Sequence, residues 1–146
     1  MNQKLASTSG ESFDLSDWKG KKVLLYFYPK DSTPGCTREG EAFAKHYRKF
    51  QKLGVEIFGI SRDSLASHER FRAKMKFPFH LLSDSEEAAC KEFDVIKMKN
   101  MYGKKVRGIE RSTFLLDEKG KILQEWRGVK VDGHVEEVLA FVESLG

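Results

Sequence analysis

The chain has 146 residues, with 26 Lys and Arg against 22 Asp and Glu and a formal net charge of +4. A hydrophobic fraction of 40%, which includes 11 Phe, suffices for a buried core and argues against an intrinsically disordered chain. The length predicts a single domain over residues 1–146. Positive and negative side chains are interspersed, so the net charge indicates a mixed surface rather than a nucleic-acid partner.

No apolar run approaches the roughly 20 residues that span a bilayer, and residues 1–5 lack the apolar core of a signal peptide. The sequence therefore predicts a cytoplasmic protein without a membrane partner. Two cysteines exclude a disulfide scaffold and fit a reducing compartment. The two cysteines and four histidines show no metal-ligand spacing, and no glycine-rich phosphate loop occurs, so we expect no metal and no cofactor.

The first half of the chain alternates apolar runs with amphipathic segments. Residues 23–28 form a continuous apolar run, typical of a strand buried on both faces, and residues 55–60 form a second. Between them, residues 37–53 predict a helix, because apolar side chains recur one or two turns apart at Phe43, Tyr47 and Phe50.

The middle of the chain predicts two further helices around a short strand. Ser64 can cap a helix over residues 65–76, and residues 81–83 are extended. Asp84 and Glu87 have the spacing of a capping box and open a short helix that ends at Phe93. The basic stretch from Lys97 to Arg107 is interpreted as a solvated loop.

The last third predicts strands over residues 112–116 and 121–127, joined by a turn, and a final helix from Asp132. Early helical crossovers imply parallel strands, and the late hairpin adds antiparallel ones. The expected fold class is α/β, with a central mixed β-sheet flanked by helices on both faces, which is the plan of the thioredoxin fold.

Cys36 stands where the first apolar strand gives way to a helix. A helix start offers unpaired backbone N–H groups and a partial positive charge, which favour the thiolate form of a cysteine. Thr33 lies three residues earlier, so one turn brings its hydroxyl toward the sulfur. Arg111 precedes a strand expected beside the first one, where its permanent charge would stabilise an anion.

These residues resemble a known pattern. Pro29-x-x-x-Thr33-x-x-Cys36 matches the Pro-x-x-x-Thr/Ser-x-x-Cys signature of peroxiredoxins. The fuller run from Phe27 to Glu39 is similar to the bacterioferritin comigratory protein (PrxQ) subfamily. Further similar segments in the family order are residues 59–64, 81–84 and 111–117, so the resemblance covers roughly residues 5–145.

The resemblance implies a thioredoxin-like fold and a thiol-dependent peroxidase that reduces hydrogen peroxide and alkyl hydroperoxides. Carried over by position, Cys36 is the peroxidatic nucleophile, which becomes a sulfenic acid. Thr33 would bind the peroxide, Pro29 would shield the site and Arg111 would polarise thiolate and peroxide. Glu39, one turn into the helix, would orient an arginine.

The sequence departs from the subfamily at the position five residues after Cys36. Many relatives carry a resolving cysteine there, whereas this chain has Glu41. The other thiol, Cys90, has two interpretations: a structural residue of the short helix, or a resolving cysteine that requires local unwinding. The enzyme is accordingly expected to be either one-cysteine or atypical two-cysteine.

The resemblance implies thioredoxin or glutaredoxin as the reductant and leans toward a monomer or weak homodimer. The alternatives are a thioredoxin-like thiol–disulfide oxidoreductase, which the missing Cys-x-x-Cys disfavours, and a non-catalytic binding module. Met98, Met101 and Tyr102 precede Arg111 and are either surface cover or an apolar collar for an organic peroxide. His68 is expected to pack on its helix face rather than take part in catalysis.

Overall fold

A computed structural model describes residues 4–145 of the chain. Its strands and helices, in chain order, are β1 (Leu5–Ser7), β2 (Ser12–Phe13), a 3₁₀ helix (Leu15–Trp18), β3 (Lys22–Phe27), α1 (Pro34–Lys52), β4 (Val55–Ser61), α2 (Leu65–Met75), β5 (His80–Ser83), α3 (Ala88–Glu92), β6 (Ile96–Met101), β7 (Lys104–Ile109), β8 (Ser112–Leu116), β9 (Ile122–Trp126) and α4 (His134–Leu145).

Seven strands form one mixed sheet in the order β2-β1-β5-β4-β3-β8-β9. Strands β3, β4 and β5 are parallel, because α1 and α2 supply the crossovers between them. Strand β8 pairs antiparallel with β3, and Ser112 faces Phe27 at the carboxyl end of β3. This pairing confirms the predicted neighbourhood and brings Arg111, which precedes β8, to the end of β3 where α1 begins.

Two apolar layers cover the two faces of the sheet. Alternate β3 side chains divide between them: Leu24 and Tyr26 face the layer that holds α1, α2 and α4. Leu25 and Phe27 face the layer that holds α3 and the 3₁₀ helix. The mixed sheet with helices on both faces is therefore as predicted. No helix within residues 4–145 combines the length and hydropathy that a bilayer crossing needs.

Several boundaries differ from the predicted ones for local reasons. Helix α1 begins at Pro34 rather than at residue 37, because proline suits the first helical position and Thr33 provides the extended N-cap backbone. Helix α4 begins at His134 rather than at Asp132.

Asp84 does not form the predicted capping box: its carboxylate accepts from the N–H groups of Ala89 and Cys90. Glu87 has a left-handed backbone and binds arginines instead.

The basic stretch from Lys97 to Arg107 is not the predicted loop. It lies within a two-stranded ribbon, β6–β7, separate from the main sheet. The turn at Tyr102 and Gly103 has two positive φ angles, 53° and 78°, as a two-residue hairpin turn requires. The short strands β1 and β2, at an edge of the main sheet, were also not predicted.

Candidate active site

Cys36 lies in the first turn of α1 and is 2% exposed. The first helical hydrogen bond runs from the Thr37 N–H to the Thr33 carbonyl, at 2.9 Å. The N–H groups of Gly35 and Cys36 therefore belong to the donors that a helix start leaves without an intrahelical acceptor. They are suited to stabilise negative charge that develops at or beside the Cys36 sulfur.

Arg111 joins Cys36 to Glu39. One guanidinium nitrogen, Nη2, lies 3.4 Å from Cys36 Sγ, and the other, Nη1, donates to Glu39 Oε1 at 2.6 Å. Gly35 leaves room for this contact, since a Cβ at residue 35 would lie 3.2 Å from Arg111 Nη2. The structure thus brings together three of the predicted site residues, and Arg111 holds a permanent positive charge beside the sulfur.

Glu39 is fully buried, and within residues 4–145 its Oε2 has no hydrogen-bond partner. Burial raises the pKa of Glu39 from 4.5 to about 7, against the opposing effect of Arg111. The Glu39 carboxylate therefore orients the Arg111 guanidinium, although its own negative charge is unfavourable because it is buried away from water.

We predict that Glu39→Gln becomes more stable relative to the wild type as the pH rises. Below pH 4.5 both the folded and the unfolded wild type are protonated at Glu39, whereas above pH 7 the folded state bears the cost of the buried charge. A shift from 4.5 to about 7 corresponds to about 3 kcal/mol lost across this window. Glutamine does not titrate. Denaturant unfolding of both proteins at pH 5 and pH 8 checks this, and an equal difference at both pH values would contradict it.

Thr33 is half-buried at the N-cap of α1, and its hydroxyl donates to the carbonyl oxygen of Lys30 at 2.8 Å. Because the hydroxyl proton already takes part in this hydrogen bond, the lone pairs of the Thr33 oxygen remain to accept a hydrogen bond from another molecule. Pro29, also half-buried, lies two residues after the end of β3 and fixes the backbone at the start of the loop.

A buried polar network that the sequence analysis missed anchors this loop. Asp31 is 6% exposed and accepts from the Tyr28 hydroxyl at 2.6 Å and the Ser67 hydroxyl at 2.8 Å. His68 Nδ1 lies 2.7 Å from Asp31 Oδ2, while its Nε2 lies 2.9 Å from the Leu82 carbonyl oxygen. Because the Leu82 carbonyl oxygen can only accept, Nε2 donates to it, and one further proton lies between Nδ1 and Asp31 Oδ2.

The backbone of the loop joins the same network, since the Asp31 N–H donates to Asp63 Oδ2 at 2.9 Å. Burial raises the pKa of Asp31, but the hydrogen bonds with His68 and Tyr28 outweigh it and hold that pKa below its ordinary value. Asp31, Asp63 and His68 place one possible metal-ligand atom each within 4.8 Å of one another. Hydrogen bonds engage these atoms, so the cluster serves the loop that carries Thr33 to Cys36.

Cys90 does not lie beside Cys36 in the structure. It is fully buried among the side chains on the opposite face of the sheet, beside Phe93 and Ala89. Burial, together with the hydrogen bond and charge of Asp84, raises the pKa of Cys90 well above its ordinary value, which makes it a poor nucleophile. Both cysteines are free thiols. Glu41, at the position of the missing resolving cysteine, is exposed on α1.

The comparisons with known proteins agree with this geometry. Residues 1–125 match the AhpC/TSA family. The chain belongs to this family. It is 53% identical to peroxiredoxin Bcp of Xanthomonas campestris pv. campestris, over 96% of this chain and 88% of that protein. It is 47% identical to peroxiredoxin Bcp of Bacillus subtilis, over 97% and 90% of the two chains.

Solved structures lead to the same subfamily. A structure of Xanthomonas campestris peroxiredoxin Q has a TM-score of 0.92 at 52% identity and covers 97% of this chain and 90% of its own. The bacterioferritin comigratory protein of the same species, whose structure is linked to alkyl peroxide reduction, has a TM-score of 0.93 at 51% identity, over 98% and 91% of the chains. The chain is therefore a peroxiredoxin with the thioredoxin-like fold, a thiol-dependent peroxidase. The alternatives of a thioredoxin-like thiol–disulfide oxidoreductase and a non-catalytic binding module are not favoured.

Proposed function

We propose that this peroxiredoxin reduces hydrogen peroxide and alkyl hydroperoxides at Cys36, with Arg111, Thr33 and Pro29 completing the catalytic group. The observation that supports this proposal most strongly is the position of the Arg111 guanidinium, which contacts both Cys36 Sγ and Glu39 Oε1 at the start of α1. A fixed cation and free helix N–H groups around one thiol are suited to a reaction in which negative charge moves from sulfur to oxygen.

In the proposed first step the Cys36 thiolate attacks one peroxide oxygen and the O–O bond breaks. The sulfur gains that oxygen as a sulfenic acid, and the other oxygen leaves as hydroxide or alkoxide. This anion takes up a proton, which replaces the one that the thiol released on ionising, and becomes water or an alcohol. Arg111 stabilises the negative charge first on the Cys36 sulfur and then on the leaving oxygen. Thr33 accepts a hydrogen bond from the peroxide, because its own proton is donated to Lys30. Pro29 limits the access of water to the same side of the site.

Glu39 is a positioning residue in this account. It touches Arg111 rather than the reacting atoms, and its role is to hold the guanidinium in the direction that faces the sulfur. The Arg111 side chain is 15% exposed, so a peroxide can reach it while most of the ion pair stays away from water. Orientation of this kind contributes to rate without changing the amount of thiolate.

We infer a one-cysteine cycle, in which an external thiol reduces the sulfenic acid. The burial of Cys90 across the sheet from Cys36 supports this, since a disulfide needs Cα atoms within about 7 Å. Thioredoxin or glutaredoxin is the proposed reductant. A cytoplasmic location and a monomer or weak homodimer complete the proposal.

Thr33 variants test the peroxide-binding step. Thr33→Val keeps the shape of the side chain but removes the hydroxyl, whereas Thr33→Ser keeps the hydroxyl. We expect kcat/KM for hydrogen peroxide to fall roughly 10- to 100-fold in Thr33→Val, the effect of one lost hydrogen bond in a transition state. Thr33→Ser should stay close to the wild type. Equal rates for the two variants, measured with dithiothreitol as reductant, would remove Thr33 from the catalytic group.

A further inference from the structure

The β6–β7 ribbon carries an unusual share of exposed apolar surface. Of the seven large apolar side chains exposed within residues 4–145, four lie on this ribbon or its turn: Met98 at 62%, Met101 at 50%, Tyr102 at 100% and Val106 at 42%. Exposed apolar groups gathered on one short element indicate an interaction surface rather than chance exposure. Met and Tyr are also residue types enriched at protein interfaces.

The ribbon is also strongly basic. Residues 96–109 contain five Lys and Arg residues and no Asp or Glu. Three of the five have partners: Lys97 pairs with Asp94, Lys99 donates to the Ile109 carbonyl, and Arg107 pairs with Glu87. Lys104 and Lys105, next to the turn, form no ion pair within residues 4–145. Charge complementarity therefore favours an acidic surface on a partner that binds the tip of the ribbon.

The base of the ribbon borders the site of Cys36. Strand β7 runs directly through Glu110 into Arg111. Lys99, on β6, interacts electrostatically with both Cys36 and Arg111: burial and Arg111 lower the pKa of Lys99, while Cys36 raises it. The base of the ribbon is therefore joined through one residue to the arginine that contacts the Cys36 sulfur.

We propose that the β6–β7 ribbon docks the protein dithiol that reduces the Cys36 sulfenic acid, and that this partner presents an acidic surface around an apolar centre. The inference rests on the proposed function, in which Cys90 does not resolve Cys36. The first thiol of the partner attacks the sulfenic sulfur to form a mixed disulfide and release water. Its second thiol then attacks the mixed disulfide, which returns Cys36 to the thiol and leaves the partner as a disulfide.

A protein fits the ribbon better than a membrane does. The register pairs Met98 with Arg107 on one face and Lys99 with Val106 and Met101 with Lys104 on the other. Each face thus mixes apolar and cationic groups, whereas an element that inserts into a bilayer separates an apolar face from a basic one. The mixture suits a partner with an apolar centre and a charged rim.

Charge reversal at the tip provides the test. The double variant Lys104→Glu/Lys105→Glu is compared with Lys45→Glu/Arg48→Glu, which makes the same charge change at exposed positions of α1. Peroxide turnover is measured with an acidic thioredoxin and, separately, with dithiothreitol. We expect the KM for thioredoxin to rise about tenfold in the ribbon variant only, with dithiothreitol-supported turnover unchanged in both. Tyr102→Asn, which suits the left-handed turn, should raise the same KM.

Other outcomes would overturn the proposal. A KM for thioredoxin that is unchanged in the ribbon variant, or raised equally in the α1 variant, would exclude a docking role for the ribbon. Binding of the wild type, but not the ribbon variant, to phosphatidylglycerol vesicles, with equal thioredoxin kinetics, would make the ribbon a membrane element. A wild type without dithiothreitol-supported turnover would instead contradict the proposed function.

Discussion

Replacing Cys36 with serine is expected to abolish peroxide consumption, whereas Cys90→Ser is expected to retain it. The two substitutions are chemically identical, and both side chains are buried, at 2% and 0% exposure. They differ in surroundings: Cys36 faces Arg111 at a helix start, while Cys90 lies against Asp84 on the far side of the sheet. Serine at residue 36 leaves a hydroxyl that neither ionises near neutral pH nor accepts an oxygen atom.

The measurement is hydrogen peroxide consumption with dithiothreitol as reductant. Circular dichroism and a thermal melt of each variant keep a folding defect apart from a catalytic one, which matters because Cys90 is a packed core residue. Turnover in a folded Cys36→Ser protein would contradict Cys36 as the nucleophile. Loss of dithiothreitol-supported turnover in a folded Cys90→Ser protein would contradict a one-cysteine cycle.

The second large effect is expected at Arg111. Arg111→Ala removes the cation beside the sulfur and leaves the buried Glu39 carboxylate without its partner, so we expect kcat/KM for peroxide to fall about 100- to 1,000-fold. Arg111→Lys keeps a charge but cannot bind the sulfur and Glu39 together through one planar group, so it should recover only part of the rate.

The thiolate fraction distinguishes two explanations of that loss. A thiol with a pKa of about 8.5 is only about 3% thiolate at pH 7, so full ionisation adds at most about 30-fold. The remaining acceleration must come from orientation and from stabilising charge in the transition state. We therefore expect the rate of Arg111→Ala to fall much further than its thiolate fraction, measured by ultraviolet absorbance. Equal losses in the two quantities would contradict a transition-state role for Arg111.

The central strands of the main sheet and the centre of the site could be predicted because both follow strong local signals. The apolar run before Cys36 fixes a buried strand, and the strand after Arg111 pairs with it, which places arginine and thiol together. The first turn of α1 was predicted three residues late, since proline at a helix start was interpreted as part of the approach.

The missed features lack such signals. Each face of the β6–β7 ribbon mixes cationic with apolar side chains, so the ribbon has no apolar face that would mark it as a pair of strands. The pairing of Asp31 with His68 joins residues 37 positions apart, and buried polar pairs follow no periodicity in sequence. Asp84 accepts from the amides of Ala89 and Cys90 across a segment in which Glu87 adopts a left-handed backbone, a conformation that its residue type does not predict.

The central claim is that peroxide converts Cys36 to a sulfenic acid, which persists until an external thiol reduces it. The most direct test adds one equivalent of hydrogen peroxide to the reduced protein and determines the intact mass under non-reducing conditions. We expect a gain of one oxygen atom, located at Cys36 by peptide mapping and unaffected by Cys90→Ser. A loss of two hydrogen atoms, with Cys36 and Cys90 joined in one disulfide-linked peptide pair, would contradict it.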